Sequence, residues 1–240
     1  NDCWGDAVGN TTNIQPNDTP TSGTLKNYST GLSTDITAAW AKSPSGLQGY
    51  SNGNYSNSGT DAHNTFYDMA NMVGVNNYYN SSTTGWYYDL TLAGLDPTKT
   101  YTFAITANRD SSRDSGRQSQ FTISDIDEAT NASTSGVTVL SNESVAFSTG
   151  YNTVNGFVAR WTGIQAGIDG DLVVRTNAYP FETAAYGYGP SVFMLAEEAG
   201  STNTAPDAPT LGATLDDATD VDIPANLQVT VTDLDADIMD

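Results

Sequence analysis

Three chemically versatile groups are scarce in this 240-residue chain, which holds one cysteine, one histidine and eight basic residues. With Cys3 alone, no internal disulfide framework exists, and the thiol is either free or paired with another molecule. His63, far in sequence from Cys3, cannot complete the usual zinc shells without carboxylates. Eight Lys and Arg stand against 28 acids, a formal net charge of -20. Nucleic acid and anionic membranes both need a basic surface, so no nucleic-acid partner is expected. No apolar run approaches 18 residues, so no membrane insertion is expected either. An initiator Met and a signal-peptide pattern are also lacking. A start at Asn1 suits a mature exported product, and export is read from composition.

What the chain does hold is Ser, Thr, Asn and Gly, with 13 Tyr, 7 Phe and 4 Trp as bulky core material. This mixture is rich in turn and strand formers and poor in strong helix formers. From residue 86 onward the pattern has period 2. Trp86, Tyr88, Leu90 and Leu92 alternate with Tyr87, Asp89 and Thr91, which places the first set in a core and Tyr87 outward. Asp96-Pro97-Thr98-Lys99 is a turn, and Tyr101, Phe103 and Ile105 alternate after it. Further strand candidates cover 35–40, 119–124, 136–140, 144–148, 156–162, 171–176 and 191–197. Residues 43–64 read as a long Gly/Ser/Asn loop and 65–79 as a possible helical turn, while 1–35 show no pattern beyond scattered apolar residues. Many short strands at such spacing predict an all-β sandwich.

Residues 199–208 lack apolar periodicity and read as a linker. Beyond it the acid is concentrated: residues 206–240 carry nine Asp and no Lys or Arg, leaving 19 acids and 8 bases, or -11, upstream.

The segment Gly94-Leu95-Asp96-Pro97-Thr98-Lys99-Thr100-Tyr101-Thr102-Phe103, with Arg109, Arg117 and Phe121-Thr122-Ile123, resembles the central strands of secreted bacterial jelly-roll modules. Malectin-like, galactose-binding-like and carbohydrate-binding-module-like sandwiches are similar. Gly156–Trp161, Gly170–Val174 and Phe193–Ala196 fit their closing strands. The resemblance covers roughly 84–197 and implies a jelly-roll β-sandwich over 1–198, of a kind that often binds glycans and often holds structural calcium. The run Ala205-Pro206-Asp207-Ala208-Pro209, followed by Leu227-Gln228-Val229-Thr230-Val231, resembles the first strands of an Ig-like or fibronectin-III-like module. Such a sandwich needs about 100 residues, so 209–240 read as an incomplete module of a larger secreted protein.

Catalytic signatures are weak. Gly49-Tyr50-Ser51-Asn52-Gly53 spells G-x-S-x-G, but the chemistry needs strand–turn–helix geometry and a suitably ordered acid and histidine. Carboxylates are plentiful, yet sequence spacing cannot set two of them across a sugar. Aromatics are the better clue, because sugar C–H faces stack on Tyr and Trp while Asn, Asp and Arg take hydroxyls. Tyr50 and Tyr55 lie in a polar loop, Tyr87 is the outward member of its strand, and Tyr186 and Tyr188 form a second exposed-looking pair. Arg113, between Arg109 and Arg117, could clamp an anionic group; local ion pairing is the competing reading. Asp233, Asp235 and Asp237 alternate as a calcium edge would. The expected function is therefore non-catalytic glycan recognition or surface adhesion, with a glycan or cell-surface polymer as partner. The rivals are an extracellular filament subunit self-associating through edge strands, and an ancillary domain of a secreted hydrolase.

Overall fold

In a computed structural model, the chain divides into two units, Asn1–Glu198 and Ala199–Asp240. The structure describes residues 1–77, 84–181, 186–199, 210–211 and 229–230. The Asp233, Asp235 and Asp237 triad and most of the expected Ig-like segment lie outside the described residues. Of the second unit, Thr210–Leu211 pairs antiparallel with Val229–Thr230.

The first unit is all-β. Its strands are β1 (Ser22–Lys26), β2 (Ser33–Ser43), β3 (Gln48–Tyr50), β4 (Val75–Asn77), β5 (Tyr87–Ala93), β6 (Tyr101–Thr106) and β7 (Gln118–Ser124). They continue as β8 (Glu128–Asn131), β9 (Thr138–Ser141), β10 (Ser144–Ser148), β11 (Ala159–Gln165), β12 (Asp171–Ala178) and β13 (Val192–Glu197). One antiparallel sheet has seven strands in the order β1-β2-β5-β12-β7-β10-β9, and the second has four, β13-β6-β11-β8. From β5 to β8 each successive strand changes sheet, as it does again from β10 to β13.

The alternating positions explain the sandwich. Leu90, Leu92, Phe121, Ile123, Leu172 and Val174 from the larger sheet meet Phe103, Ile105, Trp161, Ile164 and Phe193 from the smaller one in a single buried core. Phe193 ties the layers together: its ring stacks on Phe103 at 6.0 Å and meets Trp40 of β2 edge-on at 6.2 Å. Trp86 and Tyr88 are fully buried in this core, while Tyr87 is only half-buried on the opposite face.

The smaller sheet needs cover on its outer side as well. A short helix, α1 (Asp61–Phe66), supplies it, packing Ala62 and Phe66 with Ala70 and Met72 against Ala104, Val158 and Val192. Thr60 caps the helix through its side chain and Asp61 sits in the first turn, where the helix dipole favours an acid. Asp61 also locks the helix to β11 through a two-pronged pair with Arg160, at 2.7 and 3.2 Å. The helix therefore precedes the expected 65–79 turn. The determinant is this cap and ion pair, which apolar periodicity does not register. Strands β1 and β8 were also invisible to periodicity, being short and largely exposed.

Phe193→Ala removes the ring that spans both layers. It is expected to lower stability by about 3–5 kcal/mol in urea denaturation; a loss below about 1 kcal/mol would show that the two sheets do not depend on this contact.

Candidate functional site

A cleft of about 440 Å³ opens between the β1–β2 hairpin and β13, within the size range of ligand pockets. Apolar side chains line it: Leu25, Ile36, Met69, Tyr101, Met194 and Leu195. Leu25 and Tyr101 are buried, whereas Lys26, Asn27, Tyr28 and Ser29 are exposed, so the lining has an apolar floor and a polar rim.

The rim is built by a tight hairpin tip. Asn27 Oδ1 accepts the backbone N–H groups of Ser29 and Thr30 at 3.1 and 3.0 Å, and the Gly31 N–H donates to the Asn27 carbonyl at 2.8 Å. Gly31 has φ +73°, and a Cβ there would sit 2.8 Å from Asn10 Oδ1, so the turn requires glycine. This tip displays Tyr28. The residue is 46% exposed, while its hydroxyl donates to the Asp68 carbonyl at 3.1 Å and its own carbonyl accepts Asn10 Nδ2 at 2.8 Å. A fixed, exposed ring over an apolar floor, beside amides and hydroxyls, can stack on an apolar face and bond to polar groups around it.

The opposite wall is fastened by the N-terminal segment. Val8 N–H donates to the Met69 carbonyl at 3.1 Å, Thr11 Oγ1 to the same carbonyl at 2.7 Å, and Val73 N–H to Asp6 Oδ2 at 2.8 Å. Asp2 organises this segment. It is fully buried, and its Oδ2 accepts the backbone N–H groups of Trp4, Gly5 and Asp6. Burial, with the Asp6 carboxyl beside it, pushes Asp2 up to about 7.

The residues expected from sequence fall in separate places, and none lines the cleft. Tyr50 lies in β3; its side chain is not described. Tyr55 is half-buried beneath α1, tilted on Tyr67 at 4.9 Å and donating its hydroxyl to the Ala70 carbonyl at 2.5 Å. Tyr87 stands on the outer face of the larger sheet with the Arg175 guanidinium 4.1 Å from its ring centre, and Arg175 grips Asp89 through two contacts of 2.7 Å. Arg113 is exposed in a single 3-10 turn, Ser112–Asp114. Tyr186 is 47% exposed, with Arg117 at 4.8 Å from its ring.

Tyr188 corrects the expectation of an exposed pair, for it is 1% exposed. Its hydroxyl donates to Asp114 Oδ2 at 2.9 Å, it accepts a bond from Arg117, and burial pushes it up to about 12. The flanking glycines serve close approach rather than an open turn: a Cβ on Gly187 would lie 2.6 Å from the Gln118 carbonyl oxygen and one on Gly189 2.9 Å from the Tyr88 ring. Arg117 pairs with Asp114 at 3.0 Å, so part of the arginine cluster is spent on local ion pairing. His63 is on α1, stacked on the Tyr67 ring at 4.6 Å. Ser51 of the G-x-S-x-G string is followed by irregular chain instead of a helix.

Among the described residues no three His, Cys, Asp or Glu side chains cluster as a metal site, and no helix is long and apolar enough to cross a membrane. No family model, curated protein or solved structure gives a significant match to this chain.

Because Asp2 has a folded-state value near 7 against 3.8 when unperturbed, the folded state holds a proton that the unfolded chain releases. Its contribution to stability is complete below about pH 4 and is lost as pH rises towards 7. Asp2→Asn keeps an acceptor for the three N–H groups and supplies a donor towards Asp6. The variant is expected to gain on the wild type by about 1–4 kcal/mol between pH 4.5 and 7.5, measured as the difference in urea stability. A difference that does not change with pH would contradict the assignment.

Proposed function

We propose that this chain is a non-catalytic extracellular module that recognises glycan, or adheres to a glycan-bearing surface polymer, within a larger secreted protein. The cleft beneath Tyr28 is the observation that carries the reading. A ring held at a hairpin tip by Asn10 and Asp68, over an apolar floor and beside Asn27, Ser29 and Thr11, matches what a sugar offers: a C–H face ringed by hydroxyls. The fold is in keeping with this, since successive strands that change sheet are the connectivity of a jelly roll. An acidic surface rich in Asn, Ser and Thr, with one buried cysteine, suits an extracellular setting. The bulk negative charge favours a neutral sugar over an anionic one.

A glycan array probed with the intact protein, followed by calorimetry on each hit, tests the reading. Tyr28→Ala is expected to weaken binding about tenfold, the worth of one stacked ring, with an unchanged melting temperature because the ring is half exposed. Absence of any glycan hit, or equal affinity in the variant, would remove the proposal.

A further inference from the structure

The sheet edges are protected unequally. At one end of the larger sheet, β1 carries Lys26 and a register shift against β2. In the smaller sheet, β8 begins with Glu128, and β13 is bonded along Ser191–Phe193 by Asn1–Cys3 and ends in Glu197, paired with Lys99 at 2.8 Å. Charge, irregular register and a covering segment are the usual devices that keep a strand edge from pairing with another chain.

The remaining edge has the weakest protection: its register shifts against β10 between Ser144 and Val145, but it carries no charge and, among the described residues, no covering segment. β9, Thr138-Val139-Leu140-Ser141, ends the seven-stranded sheet and pairs on one side only, with β10, among the described residues. All four of its residues are exposed, Val139 at 63% and Leu140 at 40%. No charged residue occurs from Ala129 to Asn142. A β-branched and apolar strand without charge or proline, left on a sheet edge, is a template for another strand.

We propose that β9 is a self-association strand, pairing antiparallel with β9 of a second copy of this chain. The charge distribution selects that occupant. A chain of net charge -20 repels its own copies over most of its surface, and the 129–142 stretch is where a copy can approach without like charges meeting. The strand is also self-complementary. A two-fold axis through the sheet at Val139 sets Val139 opposite Val139 of the second copy and brackets it with two Thr138–Leu140 pairs, all on matching faces. Backbone bonds left open on β9 are thereby closed, and the larger sheet continues from one copy into the next. Four residues bury well under the roughly 1,200 Å² of a standard stable interface. The dimer is therefore weak, with Kd of about 10–100 µM, and screening the acidic repulsion strengthens it. This proposal is independent of the glycan reading, although it would give each particle two clefts and hence avidity for a polymer.

Sedimentation equilibrium of the full chain from 5 to 300 µM, at 50 and 500 mM NaCl, tests it. The wild type is expected to pass from one chain mass to two as concentration rises, with at least threefold tighter association at high salt. Val139→Lys is expected to stay monomeric throughout, with its near-ultraviolet circular dichroism unchanged because the replaced side chain is exposed. A wild type that remains monomeric at 300 µM in high salt overturns the proposal. So does association that Val139→Lys leaves intact, which would assign the contact to another surface, the 210–211 and 229–230 strands included.

Discussion

Seven strands cannot be covered by four. The larger sheet exceeds the smaller by three strands, and at about 4.8 Å per strand that is an overhang of roughly 14 Å. Trp40 of β2 reaches Phe193 of β13, while Phe147 of β10 meets Phe157 just before β11, so ring contacts between the two layers run from β2 to β10. At one end β1 projects past β13, and the space between them is the cleft. At the other end β8 reaches the β9–β10 turn through Asn142, but all four residues of β9 stay exposed and, among the described residues, β9 pairs with β10 alone. Both surface features follow from one mismatch in width.

The two ends are finished differently. At the cleft end the N-terminal segment bonds to β13 and to residues 69–73, closing backbone groups that the overhang would leave open. This works only because Asp2 turns the segment, collecting three backbone N–H groups on a buried carboxylate oxygen. The arrangement leaves Asp2 and Asp6 side by side, each with one buried oxygen lacking a hydrogen bond, so a proton held between them relieves repulsion that ionisation would restore. The wall of the cleft is thus linked to the ionisation of one residue. Among the described residues no comparable segment covers β9.

Much of the sandwich was legible because period 2 reports one-sided burial directly. Trp86, Tyr88, Leu90 and Leu92 share a phase and a core, and the strands from β5 to β13 stand close to where alternation placed them, apart from exposed β8. The candidate site was not legible. Tyr28 sits in Asn27-Tyr28-Ser29-Thr30-Gly31, a turn between two alternating runs, Gly23–Lys26 and Thr34–Trp40. Read as a hairpin tip, that string would have marked an exposed ring; the flanking run is short and its strand mostly exposed, so the alternation carried little contrast. Tyr188 misled for the opposite reason. Glycines beside an aromatic signify either an open turn or close backbone approach, and only the position of Gln118 and Tyr88 decides between them. What faces the cleft is set by β1 and β13 lining it together, about 170 residues apart in sequence, which local pattern does not encode.

The width mismatch makes the cleft the one place where an exposed ring, an apolar floor and polar groups converge among the described residues. Backbone amide chemical shifts, followed by NMR as a bound oligosaccharide is titrated in, test this most directly. Shifts confined to Asn10, residues 26–29 and 194–197 are the result predicted. Shifts centred on Tyr87 and Arg175 of the outer sheet face, or on Tyr186 and Arg117, with the cleft silent, would contradict it.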